Sequence, residues 1–442
     1  MQLLSAIVDT GLVFRAREVL RKPSVRVVLF SLVGVVTALT SSYLEPVLPR
    51  NLPIELASGA VDDLLHIVAS SMLAVTTFSV SIMVSAFSRA AQSTTPRAVK
   101  LLVADGVAQN AIAVFVGSFL FSIVGIIGIS AGYYEGRARI ILFLTTLGMI
   151  ALIVWALLRW LNQLNDFGRM SDVIERLEEA ATSAAVGAAK CPRGGALPID
   201  ETLRARGIIV PAPRGGYLRH VDYGQLDRIA GRAGGDGTGS DDEGGDGPDP
   251  AGPPLIVEVA NHAGHFVHKG DPLLYLSRPA DRKTEAALAA GFAIGDARSF
   301  DQDPRFGLIV LSEVASRALS PAVNDPGSAI DVLRAGTRVL LAHHRAGMGE
   351  VDPPTRRHVR APELDMAAAY REFFAPIARD GRKLVEVQQV LQDSLRALAC
   401  NGGAALAVPV ADAALDSALA EIRDDADVAR LRACHARVGD CA

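Results

Sequence analysis

Four long stretches without any Asp, Glu, Lys or Arg dominate the first third of the chain. They cover residues 27–44, 64–87, 111–131 and 140–158. A helix needs about 20 apolar residues to cross a bilayer, because each residue adds only about 1.5 Å to its length. The first stretch is short for a span, and the second is rich in Ser and Thr. We nevertheless expect residues 1–165 to form a transmembrane domain of four helices.

The basic residues that flank these stretches predict the orientation of the domain. Ten of them lie before the first stretch, between the second and third, or after the fourth: Arg15, Arg17, Arg21, Lys22, Arg26, Arg89, Arg97, Lys100, Arg159 and Arg169. The opposite side carries only Arg50, Arg137 and Arg139. Cytoplasmic loops of membrane proteins are enriched in Lys and Arg, so both termini are expected in the cytoplasm.

Hydroxyl side chains form a regular stripe along the second stretch. One face of a 3.6-residue helix would carry Ser70, Thr77, Ser81, Ser85 and Ser88. This face would line a path for water or ions if several copies of the helix surrounded an axis. The alternative is helix packing, because small residues let helices approach closely in lipid. The third stretch has a similar small-residue face, which favours packing of the second span on the third: Ser118, Ser122, Gly125 and Gly132.

The sequence becomes polar and mixed after about residue 165, which predicts a cytosolic portion. Residues 166–215 are expected to form a helical connector followed by a loop rich in Gly and Pro. Residues 216–280 contain short apolar runs at 255–259 and 273–276, which predict strands. Residues 281–442 show helical periodicity and are expected to form a helical bundle. Helices are predicted around 361–377, 382–400 and 412–438.

The spacing of residues 264–273 resembles one half of a lipoyl- or biotinyl-type barrel. It places Gly264 in a turn and a Gly-Asp-Pro step before a strand. We therefore expect residues 216–280 to form a small β barrel-like module. Lys269 lies in the turn before a strand and not at a hairpin tip, which favours a scaffold over a carrier of a covalently attached cofactor.

Two features of the β region invite other interpretations. Residues 231–253 are rich in Gly and acidic residues and lack apolar anchors, which predicts a disordered insertion. His262, His265 and His268 follow an H-x-x-H-x-x-H pattern that would suit a metal ion if the turn brought them together. On an extended chain His262 and His265 point to opposite faces, so exposed turn residues are the simpler interpretation.

The run ALSPAVNDPGSAID, residues 318–331, predicts a sharp corner between two helices. The residue before Pro321 is pushed out of the helical region, which ends the first helix. Asp325 is suited to cap the next helix, and Pro326 to be its first residue. Capping gives Asn324 no role. The alternative is an interaction site formed by Ser320, Asn324 and Asp325, because a helix N-terminus can hold an anion or present a carboxylate to a partner.

Composition excludes several classes of function. The net charge is −4, and no basic stripe suggests binding to nucleic acid. The chain contains no GxSxG, P-loop, GxGxxG after a strand, or HExxH, so neither an enzymatic activity nor a cofactor is indicated. Cys191, Cys400, Cys434 and Cys441 form no C-x-x-C pair and are expected to be reduced thiols.

Several segments together resemble a bacterial family of predicted membrane proteins, catalogued as domain of unknown function 2254. The most specific segment is FGLIVLSEVASRALSPAVNDPGSAID. Three others fit in order: FSRAAQSTTPRAVKLLVADGVAQN after the second span, AIAVFVGSFLFS at the start of the third, and GYLRHVDYGQL leading to GHFVHKGDPL. The resemblance runs from about residue 25 to residue 400. It implies an integral protein of the bacterial plasma membrane and supplies no reaction or substrate.

Two classes of function remain open. The chain could be an oligomeric, channel-like or transport-related protein whose second span lines the path for an unidentified ion or small solute. It could instead be a membrane-anchored cytosolic sensor or scaffold that works through the corner around Asp325. A membrane-bound enzyme is a distant third class. The expected partners are the lipid bilayer and further copies of the chain, since small-residue faces favour self-association.

Overall fold

A computed structural model describes residues 23–40, 60–103, 106–134, 138–164, 169–234, 254–349 and 351–441. The described residues form two compact units, residues 16–173 and residues 174–442. The first unit is helical, and the second combines two sheets with a helical bundle. The predicted insertion at 231–253 lies mostly outside the described residues, although residues 231–234 form the end of a helix.

The first unit consists of helices that surround one central member. Their bounds are α1 Pro23–Thr40, α2 Ala60–Ser93, α3 Pro96–Val103, α4 Gly106–Ser130 and α5 Ala138–Leu164. Helix α4 packs against α1, α2 and α5. Its Phe115, Ser118, Phe121 and Ser122 are fully buried. Large apolar side chains on α1, α2 and α5 instead point outward, as expected for helices whose outer faces meet lipid.

Three of the four predicted spans coincide with helices that are long and apolar enough to cross a membrane. These helices are Ala60–Arg89, Val107–Ser130 and Ala138–Asn162. The apolar part of α1 is shorter, Val27–Thr37, and residues 41–44 of the first predicted span lie outside the described residues. A fourth helix that meets the criteria of length and composition is Val385–Leu419, which the sequence placed in the cytosolic bundle.

Val385–Leu419 is folded back on itself. It consists of α13 Val385–Leu398, a π-turn at Ala399–Gly403 and α14 Ala404–Leu419. Gln392 Nε2 donates to the carbonyl of Ala411 at 2.9 Å. In a straight helix these two residues would lie about 28 Å apart. Each arm is therefore shorter than the roughly 20 residues that a span requires, and we assign the hairpin to the bundle.

Strands of the second unit form two open sheets. Their bounds are β1 Ala196–Pro198, β2 Ile208–Pro211, β3 Gly216–Val221, β4 Val257–Val259, β5 Phe266–Val267, β6 Pro272–Leu276, β7 Phe292–Gly295 and β8 Arg356–Ala361. One sheet has the order β1-β8-β4-β6-β2, and the other β5-β3-β7. Strand β8 pairs in parallel with β1 and β4, whereas β4 and β6 are antiparallel.

The expected barrel-like module is not confirmed, because no closed barrel is present among the described residues. Strand β8 lies about a hundred residues after β4 in the chain and occupies the edge of β4 that a closing strand would need. The strands share one apolar core, in which Val257, Val259, Leu274 and Leu276 are fully buried. Strands from outside residues 216–280 contribute to both sheets.

The remaining helices connect and follow the sheets. Their bounds are α6 Met170–Lys190, α7 Glu201–Arg206, α8 Tyr223–Gly234, α9 Arg282–Ala289, α10 Pro304–Ala318, α11 Pro326–Met348, α12 Met366–Asp380 and α15 Asp425–Gly439. Helices α10–α15 form the bundle. The last predicted helix, 412–438, is divided between α14 and α15, because Asp424 caps a new helix by accepting from the Asp427 N–H at 3.0 Å.

Two of the four cysteines are joined. Cys400 and Cys441 form a disulfide with a Cα–Cα distance of 4.8 Å. Cys191 and Cys434 take no part in a disulfide among the described residues. The expectation of four reduced thiols is therefore wrong for this pair in the oxidised state that the structure describes, because the hairpin and α15 bring together two residues that are 41 positions apart in the chain.

Candidate functional site

The hydroxyl stripe of α2 is exposed along its whole length. It consists of Ser70, Thr77, Ser81, Ser85 and Ser88. Ser70 donates to the carbonyl of His66 at 2.9 Å, Thr77 to that of Leu73 at 3.0 Å, and Ser81 to that of Thr77 at 2.9 Å. These bonds lie within α2 and leave the lone pairs of the hydroxyl oxygens on the outer surface of the unit.

The opposite side of α2 packs against α4 and α5. Leu65, Val68 and Met72 are buried there. Gly125 of α4 lies against Leu65, so that a Cβ on Gly125 would be 2.9 Å from Leu65 Cδ1. The second span therefore packs on the third through apolar side chains, and the hydroxyl stripe takes no part in this contact. None of the described helices covers the stripe.

Ionisable residues lie at the N-terminal end of the same face. Asp63 and His66 are exposed, and Asp62 is half-buried. His66 Nε2 lies 3.9 Å from Asp62 Oδ1, one helical turn away. Carboxylates in the first turn of a helix are favoured by its macrodipole. The exposed side of α2 therefore carries negative charge at one end and hydroxyl groups along the span, beside exposed apolar side chains such as Leu73 and Val84.

The corner around Asp325 has the local structure that the sequence predicts. Helix α10 ends at Ala318, Asp325 caps α11, and Pro326 is its first residue. Asp325 Oδ1 accepts from the Ser328 N–H at 3.1 Å, and Oδ2 from the Ser328 hydroxyl at 2.6 Å. These hydrogen bonds from Ser328 hold the pKa of Asp325 below its ordinary value. Both carboxylate oxygens of Asp325 thus accept hydrogen bonds at the N-cap of α11.

Ser320 and Asn324 complete the turn. The Ser320 hydroxyl donates to the carbonyl of Arg317 at 2.7 Å, and the Ser320 carbonyl accepts from the Asn324 N–H at 2.9 Å. Asn324 has φ +50, in the left-handed region that asparagine tolerates better than most residues. This conformation gives Asn324 the structural role that the sequence did not reveal. Val323 beside it is 44% exposed.

Two of the three histidines, His262 and His265, lie in the turn before β5, and His268 directly follows β5. His262 Nδ1 lies 2.8 Å from the carbonyl oxygen of Ala263, while His265 and His268 are exposed. Partial desolvation of its ring by the surrounding turn, together with the neighbouring His262, lowers the pKa of His265. Across the described ranges, no group of three or more His, Cys, Asp or Glu side chains is placed to hold a metal ion.

Two buried polar pairs were not singled out from the sequence. Glu258 is fully buried in β4, where it accepts from Arg204 Nε at 2.6 Å and from the Asp200 N–H at 2.7 Å. In the bundle, the fully buried Tyr370 has its hydroxyl 2.6 Å from His344 Nε2. A lone acid within the apolar run LIVEVA was a visible signal for the first pair. The second joins helices α11 and α12, and no local pattern marks it.

A family described as predicted membrane protein (DUF2254) matches residues 21–236 and 252–397. The chain belongs to this family. The match covers both units, and its gap falls in the glycine-rich acidic insertion. No curated protein and no solved structure matches the chain significantly. The DUF2254 assignment therefore establishes a predicted membrane protein of unknown function, in agreement with the long apolar helices.

Proposed function

We propose that this DUF2254 protein is an oligomeric, channel-like or transport-related protein in which copies of α2 line a polar path. The exposed hydroxyl stripe of α2 is the observation that carries the proposal. Polar faces on spanning helices are usually directed at protein or water and not at lipid tails. Within the described part of the first unit, this face is uncovered in the single chain. Further copies of α2 would cover it and enclose water.

The acidic end of the face determines which solutes the proposal favours. Rings of carboxylates at the mouth of a pore attract cations. In an oligomer around α2, Asp62 and Asp63 of each copy would form such a ring. We therefore propose a cation or a small polar solute as the transported species.

The proposed location is a bacterial plasma membrane with both termini in the cytoplasm. The excess of Lys and Arg on one side of the spans supports this orientation. It places the second unit, with its sheets and bundle, on the cytoplasmic side, where we propose that it regulates or assembles the oligomer.

Flux through liposomes that contain the purified full-length protein tests the proposal. We expect uptake of a monovalent cation such as Rb⁺ above that of empty vesicles. Ser81→Trp and Ser85→Trp should each reduce this flux, because an indole would fill the path. Leu144→Trp is the matched control, since Leu144 is 55% exposed on α5, away from the stripe. Vesicles that stay tight with folded protein would refute a conducting path.

Single-cysteine crosslinking tests the oligomer independently. In a chain whose native cysteines are replaced by Ser, Ser81→Cys should form dimers through α2 on oxidation. Leu147→Cys, 51% exposed on α5, should not. Equal crosslinking at both positions would contradict a specific α2 interface.

The alternative function is a membrane-anchored sensor or scaffold. The exposed turn at residues 321–324, at the tip of the α10–α11 corner, is the feature that favours this candidate, since a protruding turn is accessible to a partner. The flux assay separates the two functions. A scaffold predicts tight vesicles, and it predicts that Val323→Ser abolishes a partner interaction without changing the thermal stability of the protein.

A further inference from the structure

The disulfide joins the last helix to the turn of the hairpin. Cys400 lies in the π-turn between α13 and α14 and is exposed. Cys441 follows α15 and is partly exposed. The Cα–Cα distance of 4.8 Å lies in the ordinary range for disulfides. Solvent exposure leaves the pair accessible to small thiols and disulfides.

Helix α15 has weak noncovalent anchoring for its length. It buries three of its fifteen residues: Leu431, Cys434 and Val438. Helix α10, also fifteen residues long, buries ten. Three polar contacts of α15 to the hairpin are His435 with Gln392 at 3.1 Å, His435 with Asp412 at 3.2 Å, and Arg437 with Asp393 at 3.3 Å. Because few buried apolar groups hold α15, we expect this helix to open locally more easily than α10, and a covalent link would restrict that opening.

The turn that carries Cys400 lies directly on the polar pair inside the bundle. A Cβ on Gly403 would be 2.7 Å from the Tyr370 hydroxyl and 3.0 Å from His344 Nε2. Gly402 in the same turn has φ +87, which favours glycine. The turn that carries Cys400 therefore packs against Tyr370 and His344. A displacement of this turn would alter the packing around the two side chains.

We propose that Cys400 and Cys441 form a reversible thiol–disulfide switch that fastens α15 and the hairpin turn to the bundle. The orientation proposed above places the pair in the cytoplasm, where thiols are kept reduced and disulfides are transient. The disulfide forms when the cytoplasm becomes oxidising. Formation of the disulfide restricts local opening of α15, and reduction frees α15 from its covalent attachment to the hairpin turn.

The oxidant is a low-molecular-weight disulfide such as oxidised glutathione. The exposed Cys400 thiolate attacks one of its sulfurs, which forms a mixed disulfide and releases one glutathione thiolate. The Cys441 thiolate then attacks the sulfur of Cys400 and releases the second glutathione. Two protein thiols are oxidised, one glutathione disulfide is reduced to two thiols, and the two protons pass from the cysteines to the glutathiones.

Mass spectrometry after alkylation tests whether the pair switches. The full-length protein in detergent is equilibrated with glutathione buffers from fully reduced to fully oxidised. We expect a peptide linked through Cys400 and Cys441 that appears and disappears reversibly. Cys191→Ser and Cys434→Ser should leave it unchanged, and Cys441→Ser should abolish it. Failure to form the link in oxidised buffer, failure to reduce it in the folded protein, or a link through another cysteine overturns the proposal.

Hydrogen exchange tests whether the switch moves structure. Peptides within Asp425–Gly439 and Ala399–Gly403 should exchange at least about tenfold faster after reduction, because the link no longer restricts local opening. The reduced Cys441→Ser variant should match the reduced wild type. Equal exchange in both redox states overturns the proposal.

Trapping thiols in growing cells with acid and an alkylating reagent tests the switch in its own compartment. We expect the reduced form in normal growth and the linked form after a thiol oxidant. A link that is complete in unstressed cells overturns the switch and indicates an oxidising side of the membrane. None of these results depends on whether the protein conducts ions, so the switch and the proposed function can fail separately.

Discussion

Gly34 of α1 and Gly117 of α4 lie opposite each other where the backbones of the two helices come close together. A Cβ on Gly34 would be 2.8 Å from the carbonyl oxygen of Gly117, and a Cβ on Gly117 would be 3.1 Å from that of Phe30. Small residues permit such contacts between helices in lipid, where van der Waals packing drives association. The contact therefore holds the shorter apolar helix α1 against the central helix of the first unit.

Gly34→Ala should weaken this packing, because the added methyl group meets a backbone atom that cannot move aside. We expect a loss of about 1–3 kcal/mol in unfolding free energy, as for overpacking in cores. Unfolding in mixed SDS micelles, followed by fluorescence of Trp155 and Trp160, measures it. Gly148→Ala is the control, since a Cβ there meets nothing within 4 Å. Equal effects of the two substitutions would contradict the close contact.

Glu258→Ala should be destabilising, because it removes the buried acceptor of Arg204 Nε and of the Asp200 N–H. Arg204 is 32% exposed and keeps its hydrogen bond to the Ala260 carbonyl, so we expect a loss of about 1–3 kcal/mol, as for donors that lose their acceptor. Urea unfolding of the full chain in detergent, read by pulse proteolysis, gives the change. Glu363→Ala breaks the exposed pair with Arg193 and should cost less than about 1 kcal/mol. The prediction fails if both variants lose the same stability.

Asp325→Ala should destabilise the protein by about 1 kcal/mol, the usual cost of losing an N-cap. Asp331→Ala, at an exposed position on the same helix, is the control. The lowered pKa of Asp325 means that its contribution is fully present above pH of about 4 and is lost as pH falls through the folded-state pKa.

Stability of wild type and of Asp325→Asn, measured between pH 7 and pH 3, checks this linkage. Asparagine can still accept from the Ser328 N–H but does not titrate. The advantage of wild type over Asp325→Asn should therefore shrink as pH falls. A constant difference over this range would show that the carboxylate charge contributes nothing.

His344 should make the bundle less stable at acidic pH. Burial and the neighbouring His343 lower the pKa of His344, so the unfolded chain binds the proton more readily. Stability is then highest above pH of about 6.5 and falls as pH drops toward the folded-state pKa. Between pH 7 and pH 5, the unfolding free energy of His344→Gln should therefore depend less on pH than that of the wild type. His268→Gln, at an exposed histidine, is the control for the His-to-Gln substitution itself.

Tyr370→Phe should show how much the hydrogen bond between Tyr370 and His344 contributes to stability, independently of the protonation of His344. It removes the hydroxyl that lies 2.6 Å from His344 Nε2 and leaves a buried nitrogen without its partner. We expect a loss of about 1–3 kcal/mol at pH 8, where His344 is neutral. A loss confined to acidic pH would assign the effect to protonation of His344 and not to the hydrogen bond.

Features that depend on neighbours in the chain were predictable from the sequence. The three longer spans follow from uncharged runs, since helix length alone sets whether a segment can cross a bilayer. The capping of α11 by Asp325 and the placement of Pro326 follow from backbone chemistry within four residues. The family assignment follows from motifs read directly in the chain.

Contacts between distant residues were decided only by the tertiary structure. Apolar runs predicted strands but could not show that β8 would pair with β4 and leave the sheet open. The helical pattern of 385–419 could not show that α13 and α14 fold back until Gln392 meets Ala411. Periodicity placed five hydroxyls on one face of α2, whereas packing on α4 decided that this face stays uncovered. Sequence patterns specify which face is apolar, but the partner of each face depends on long-range packing that no local pattern encodes.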